Sequence, residues 1–402
     1  MRVLFVSDVY FPRVNGVSTS IRTFRDDLTL AGVETVLVAP AYGAGAGTGA
    51  SAAAASEPGV WRVASAGVPR DPEDRRMKRG SLRETLERLA GERFDLVHVH
   101  TPFLAHYSGV RFARRARIPV VATYHTLFEE YLHHYVPLLP RVLGAKLARR
   151  FTRSQCAQLS AIVAPSEPMR ALLLDYGVRS RIEVIPTGLP ADRFVPGDGR
   201  RFREHFGIAP DRPLLLYVGR VAFEKNIEFL LHSFVALRSS RPDALLAIAG
   251  EGPAREHLRA LSLRLGIAQD VLFIGYLDRE RTLLDCYAAA DVFVFASRTE
   301  TQGLVLLEAL AQGRPVVATS HFGTASILQP GCGARVAPDR PDAFARSVLD
   351  ILEDPARAAK LSAQARSYAQ GWSSGLMASR LAQLYRERID QHAAPEVVPA
   401  SI

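Results

Sequence analysis

The stretch "PLLLYVGRVAFEKN" (213–226) decides how this chain is read. It opens with a short apolar run, PLLLYVG (213–219), of the length and composition of a buried strand. A glycine turn follows, then two cations, Arg220 and Lys225, and then a helix opens. A strand, a glycine turn and a helix in succession make one βα unit of an α/β domain. The same unit repeats downstream at ALLAIAG (244–250), VLFIG (271–275), DVFVFAS (291–297) and PVVATS (315–320).

Working outward, the pattern also occurs before it. Strand-like runs stand at RVLFVS (2–7), TVLVA (35–39), VWRVA (60–64), DLVHVH (95–100), PVVATYH (119–125), AIVAPS (161–166) and IEVIP (182–186), with helical stretches between most of them. Such near-continuous apolar strands predict parallel sheets covered on both faces. Between the two sets lies the Pro- and Gly-bearing segment PTGLPADRFVPGDG (186–199), which reads as a connector. The fold class expected is α/β: two Rossmann-like, doubly wound domains facing a central cleft. The domains are placed at 1–190 and 191–375, followed by a terminal helix and disordered tail at 376–402. The Ala/Gly-rich segment 41–59 reads as a flexible loop, because its five glycines oppose a helix.

The chain has 402 residues, about the length of two ordinary domains. Hydrophobic residues make up 48%, enough for large cores. No apolar run reaches the roughly 18 residues that span a bilayer. Asp8 interrupts the first apolar stretch, which reads as a strand and not a signal peptide. The cysteines, Cys156, Cys286 and Cys332, are scattered and odd in number, so a cytosolic protein with reduced thiols is expected.

Charge is uneven. Residues 1–190 carry 25 Lys+Arg against 17 Asp+Glu, and residues 191–402 carry 25 against 24. The basic half is expected to face something negative. Nucleic acid is not the expected partner, because the cations are not interleaved with stacking aromatics. The segment 140–159 offers another answer. It places Lys146, Arg149, Arg150 and Arg153 on one helical side and Leu143, Leu147 and Phe151 on another, the pattern of a basic helix on an anionic membrane. An ordinary surface helix with its apolar face in the core explains the same pattern.

Candidate chemistry gathers where strands end. Arg220 and Lys225, with the amides of the helix that follows, suit a diphosphate. No Walker pattern is present. Gly250 and Gly252 in AGEGP (249–253) suit a close approach of backbone to a ligand, or a plain turn. The stretch SRTETQGLVLLEAL (297–310) sets Glu300 on a loop before Gly303 and Glu308 about two helical turns further along, on the buried side. A carboxylate there suits the vicinal hydroxyls of a sugar or ribose. In the first half, Gly16 opens a helix after the first strand, and His125 ends the fifth. His98 and His100 share a strand face, but no third ligand has suitable spacing, so no metal site is expected.

Together these motifs resemble the retaining glycosyltransferases of family 4, which have the two-Rossmann GT-B fold. The carrying residues are Gly16 in VNGVS, His125 in TYHT, Arg220 and Lys225 in GRVAFEKN, the GEGP turn, and Glu300 with Glu308. The resemblance implies that Arg220 and Lys225 hold the donor diphosphate, Glu308 the ribose and Glu300 the transferred hexose. It gives Gly16 and His125 contacts with phosphate and sugar. His125, Arg220, Lys225 and Glu300 are the implied catalytic residues. Gly219, Gly250, Glu251, Thr301, Gln302, Gly303 and Leu304 complete the implied donor site.

The spellings TETQGL and HTPF…TYHTLFEEYLHHYVPLLP further resemble the lipid-directed branch, diacylglycerol glucosyltransferases and related mannosyltransferases. The activity implied is metal-independent, cofactor-free transfer of a hexose from a nucleotide-sugar, UDP-glucose favoured, to a membrane lipid such as diacylglycerol. The enzyme would be cytoplasmic and peripheral on the inner face of the membrane. A GDP-mannose donor, a soluble or polysaccharide acceptor, or a non-catalytic nucleotide-sugar binder or epimerase are the alternatives.

Overall fold

The structure, a computed structural model, describes residues 1–43, 57–68, 71–125, 141–279 and 281–393. Most of the Ala/Gly-rich segment, His133 and His134, and the final tail lie outside them. The chain divides into two compact units, Met1–Gly188 with the segment from Ser374 onward, and Leu189–Ser373.

The first unit holds β1 (Arg2–Val6), β2 (Glu34–Pro40), β3 (Val60–Val63), β4 (Ser65–Val68), β5 (Asp71–Met77), β6 (Leu96–Val99), β7 (Val120–Thr123), β8 (Ala161–Ala164) and β9 (Ile182–Val184). Its main sheet runs β3-β2-β1-β6-β7-β8-β9 and its pairings are parallel. Every residue of β6, β7 and β8 is buried, as strands covered on both faces must be. The helices are α1 (Gly16–Leu30), α2 (Arg79–Leu89), α3 (Leu104–Ala116), α4 (Arg141–Cys156) and α5 (Glu167–Asp175). Asn15 caps α1, its side-chain oxygen accepting from the Ser18 amide at 2.8 Å. The antiparallel pair β4–β5 was not anticipated: SAGV and DPEDRRM carry no apolar alternation that marks a strand.

The second unit holds α6 (Gly199–His205), β10 (Leu214–Val218), α7 (Ile227–Arg238), β11 (Leu245–Ala249), α8 (Arg255–Arg264), β12 (Val271–Gly275) and α9 (Thr282–Ala289). It continues with β13 (Val292–Phe295), α10 (Leu304–Ala311), β14 (Val316–Ala318), β15 (Ala334–Val336), α11 (Pro341–Leu352) and α12 (Pro355–Gln370). The sheet order is β12-β11-β10-β13-β14-β15, again parallel. From β10 the chain winds outward to one edge, then returns at β13 and winds to the other. Each sheet thus has a switch point, between β1 and β6 and between β10 and β13. In α/β sheets the ligand crevice lies beyond the strand carboxyl ends at such a point.

The last helix, α13 (Ser374–Ala393), corrects the expected organisation. It is not a separate appendage from residue 376. Its apolar stripe of Met377, Leu381 and Tyr385 joins Ile21, Phe24 and Leu28 of α1 in the core of the first unit. The stripe announces burial, but no residue in it names the unit that supplies the partner surface. Among the described residues, no helix is long and apolar enough to cross a membrane.

Candidate functional site

The second unit builds its site at the switch between β10 and β13. The backbone leaving β10 turns at Gly219, with φ +154°, and Tyr217 donates its hydroxyl to the Arg220 carbonyl at 3.1 Å. A side chain at Gly250, where φ is +137°, would place its Cβ 1.9 Å from the Gly219 carbonyl oxygen. The two loops touch backbone to backbone, and only glycine permits it. Glycine is therefore required at Gly250 by the neighbouring loop itself.

A short 3₁₀ turn, Phe223–Lys225, then brings Lys225 toward β13, and Asn226 in the left-handed region opens α7. Lys225 Nζ pairs with Glu300 Oε1 at 2.6 Å, both side chains about four-fifths buried. Arg220 is exposed, and its guanidinium lies 3.8 Å from Glu224. The Glu251 carbonyl accepts from the Val221 amide at 2.8 Å, and its carboxylate pairs with Arg255. Thr301 is half-buried, and Gln302 and Gly303 are buried. Gly303, with φ +102°, is the residue from which α10 starts at Leu304. The loop after β14 supports this segment: the Gly323 amide donates to the Glu300 carbonyl at 2.9 Å, and a Cβ at Gly323 would lie 2.2 Å from the Thr301 carbonyl oxygen.

Glu308 lies in the second turn of α10 and is buried, so it is not a solvated helix acid. Its charge is compensated by two residues that the sequence did not single out. Arg279, on the loop after β12, pairs with Oε1, and Tyr287 of α9 donates to Oε2 at 2.8 Å. The Glu308 charge raises the Arg279 pKa, and burial pushes that of Tyr287 well up. In the sequence both sit in YLDRERTLLDCYAAAD (276–291), far from the acid and without a motif.

In the first unit the β1–β6 switch is closed by Asp8. Its carboxylate accepts from Thr101 Oγ1 at 2.8 Å and from the Ala105 amide at the start of α3, doing from a neighbouring strand what a capping residue does locally. Burial raises its pKa to about 6. Gly16 begins α1, and a Cβ there would meet nothing within 4 Å.

His125, just beyond β7, faces His100 beyond β6, with His125 Nε2 3.3 Å from His100 Nδ1. Burial lowers the His125 pKa to about 4 and that of His100 well below the ordinary value, so both rings are neutral at pH 7. His98 is held by Tyr385 Oη at 2.5 Å and Thr123 Oγ1 at 2.8 Å, and belongs to the core. Among the described residues, no group of three or more metal-ligating side chains gathers.

On α4, Lys146, Arg149, Arg150 and Arg153 are exposed, and of the apolar side read from the sequence Leu147 is exposed and Phe151 half-buried. The buried face is Ala148, Thr152, Gln155 and Cys156, and Leu147 is 48% exposed among the cations. Arg149 is also tied down, 3.2 Å from Asp175 and over the Tyr176 ring. The side chain of Leu143 lies outside the described residues.

The model of Glycosyltransferase Family 4 matches residues 14–193, and that of Glycosyl transferases group 1 matches residues 198–368. An alpha-monoglucosyldiacylglycerol synthase of Streptococcus pneumoniae is 31% identical over 79% of this chain and 71% of its own length. The chain belongs to glycosyltransferase family 4.

This family 4 glycosyltransferase is also similar to a second alpha-monoglucosyldiacylglycerol synthase, from Acholeplasma laidlawii, at 24% identity over 98% of both chains. A GDP-mannose-dependent alpha-(1-6)-phosphatidylinositol dimannoside mannosyltransferase of Mycobacterium tuberculosis is 29% identical over 96% of both. Among solved structures, sucrose-phosphate synthase from Thermosynechococcus elongatus shares the fold with a TM-score of 0.77 at 21% identity, covering 97% of this chain and 99% of that one. The two parallel-sheet units are those of the GT-B fold.

Proposed function

We propose that this glycosyltransferase moves a hexose from a nucleotide-sugar, UDP-glucose in the favoured case, to a membrane lipid acceptor such as diacylglycerol, with retention at the anomeric carbon. The observation that carries the reading is the 31% identity with the pneumococcal alpha-monoglucosyldiacylglycerol synthase. The Lys225–Glu300 pair at the switch of the second sheet supports it.

Arg220 and Lys225 would hold the diphosphate and stabilise the charge that develops as the sugar bond breaks, without calling on a metal. Glu300 would receive the hexose and Glu308 the ribose hydroxyls. Gly219, Gly250, Glu251, Thr301, Gln302, Gly303 and Leu304 would shape the rest of the donor site. In the first unit Gly16, with open space above its Cα, would let a phosphate approach, and neutral His125 would hydrogen-bond the sugar. The departing phosphate oxygen would take the acceptor's proton, with attack on the face it leaves. The enzyme would act peripherally at the cytoplasmic face of the membrane, through Lys146, Arg149, Arg150 and Arg153.

A second reading, a GDP-mannose donor, is favoured by the mycobacterial relative. One assay decides between them. Radiolabelled UDP-glucose, UDP-galactose and GDP-mannose are each offered with vesicles of diacylglycerol and anionic lipid, with EDTA present. Label from UDP-glucose is expected in the organic phase. Label from GDP-mannose alone would overturn the favoured donor, and label released only as free sugar would overturn the lipid acceptor.

A further inference from the structure

The surroundings of Glu308 say more than that it is buried. A carboxylate offers about four lone-pair sites, two on each oxygen. Tyr287 Oη takes one on Oε2, and Arg279 takes one on Oε1. Among the described residues one acceptor site remains on each oxygen, which is the pattern that two adjacent hydroxyls satisfy. Arg279 and Tyr287 therefore leave the acid fixed in rotation and half used.

Both supports are themselves held. Tyr287 is fully buried, and Arg279 pairs with the acid while its own carbonyl accepts from Arg193. Gln312, which ends α10, donates to the carbonyls of Arg193 and Val195 at 2.7 and 2.8 Å. The helix that carries Glu308 thus anchors the segment that steadies its partner. Glu308 is 4% exposed and Arg279 29%, so the pair meets solvent through the arginine side chain. An arginine and a tyrosine aimed at one buried acid on the ligand edge of a sheet exceed what helix packing alone requires.

We infer that Arg279 and Tyr287 are positioning residues that present Glu308 to the 2′- and 3′-hydroxyls of a ribonucleoside diphosphate. The inference rests on the donor reading given above. It concerns preorganisation: a carboxylate held before the ligand arrives loses less freedom on binding.

The test reads the ribose hydroxyls directly. Wild type, R279A, R279K and Y287F are titrated calorimetrically with UDP and GDP, and the tighter binder is compared with its 2′,3′-dideoxy form. Wild type is expected to prefer the ribose form by about tenfold or more, as hydrogen bonds to a charged group allow. In R279A and Y287F that preference is expected to shrink to about threefold or less. Affinity for the dideoxy form should change little, and R279K should keep part of the preference.

An unchanged preference in both R279A and Y287F overturns the inference alone. So does tighter binding of the ribose form by R279A, because Arg279 would then cover the acid and not present it. A wild-type chain that binds neither nucleotide overturns the donor reading, and this inference with it. Y287F removes one oxygen and keeps the ring, so a variant of near-native packing remains if R279A fails to fold.

Discussion

Lys225 Nζ and Glu300 Oε1 stand 2.6 Å apart, joining the loop after β10 to the loop after β13. The two strands are neighbours in the sheet, yet these residues are 75 positions apart in the chain. The pair places a cation and an anion at the point where the winding of the sheet reverses. Substituting Lys225 by Ala is expected to lower the transfer rate by about 10²–10³, in line with removal of one donor to a developing negative charge. Glu300→Gln keeps the shape and loses the charge. The double variant should lose less than the product of the single losses, since the two groups act on one another. Steady-state rates of the three variants check this, and simple multiplication of the losses would contradict it.

Two glycines separate structural need from ligand need. Gly250→Ala forces a Cβ to 1.9 Å from the Gly219 carbonyl oxygen at φ +137°, so the loop pair must part. A stability loss of about 1–3 kcal/mol is expected, together with loss of nucleotide binding. Gly16→Ala meets no neighbouring atom. Its melting temperature should stay close to wild type, and any fall in activity would then report on what approaches that helix start. Thermal melts beside calorimetric titrations distinguish the two.

The buried histidines make the first unit sensitive to acid. Burial lowers His125 and His106 to about 4, and His98 and His100 well below the ordinary value. Between pH 4 and pH 6.5 the unfolded chain binds more protons at these sites than the folded one. Stability therefore rises with pH through that window and is lost as pH falls. Asp8, raised to about 6, works in the opposite direction between its ordinary value and pH 6, and Asp26, also raised by burial, does the same above its ordinary value, but these are two groups against four. The melting temperature is expected to drop between pH 7 and pH 5. His106→Leu removes a ring whose buried Nε2 has no partner among the described residues, and should flatten part of that slope. An unaltered slope would assign the acid sensitivity elsewhere.

Membrane attraction should follow the exposed cations of α4. Charge reversal of Lys146 and Arg150 is expected to weaken association with anionic vesicles by more than tenfold, given about 1 kcal/mol for each basic residue near such a surface. Arg149→Ala should cost less binding and more stability, because Arg149 is already paired with Asp175. Flotation at low and high salt provides the measurement, and binding indifferent to these changes would place the membrane contact on another face.

The sequence revealed the strands of both sheets because buried parallel strands are apolar throughout, and that signal needs no partner to be seen. β15, whose ARV ends half in solvent, lacked it. The loops that carry Arg220, Lys225 and Glu300 were visible because glycines punctuate them. Arg279 and Tyr287 were not. An arginine on a polar loop and a tyrosine in a helix look like many others until folding brings them to one carboxylate. The side of α4 that faces the core was not legible for a related reason. Ala148, Thr152 and Gln155 are buried by their position against the sheet, not by hydrophobicity, while Leu147 is left outside.

Leu189 and Ser373, the first and last residues of the second unit, pair as a single bridge, and the Leu189 amide donates to the Trp372 carbonyl at 2.7 Å. The chain enters and leaves that unit at one place, so the second unit is an insertion within the first. This sets an order for synthesis. When a ribosome reaches Ser373, every residue of the second unit has been made, while the first still lacks the helix that bonds His98 through Tyr385. The unit begun first is the last to be completed. A stop codon within α13 would do its damage to the core that α1 had begun.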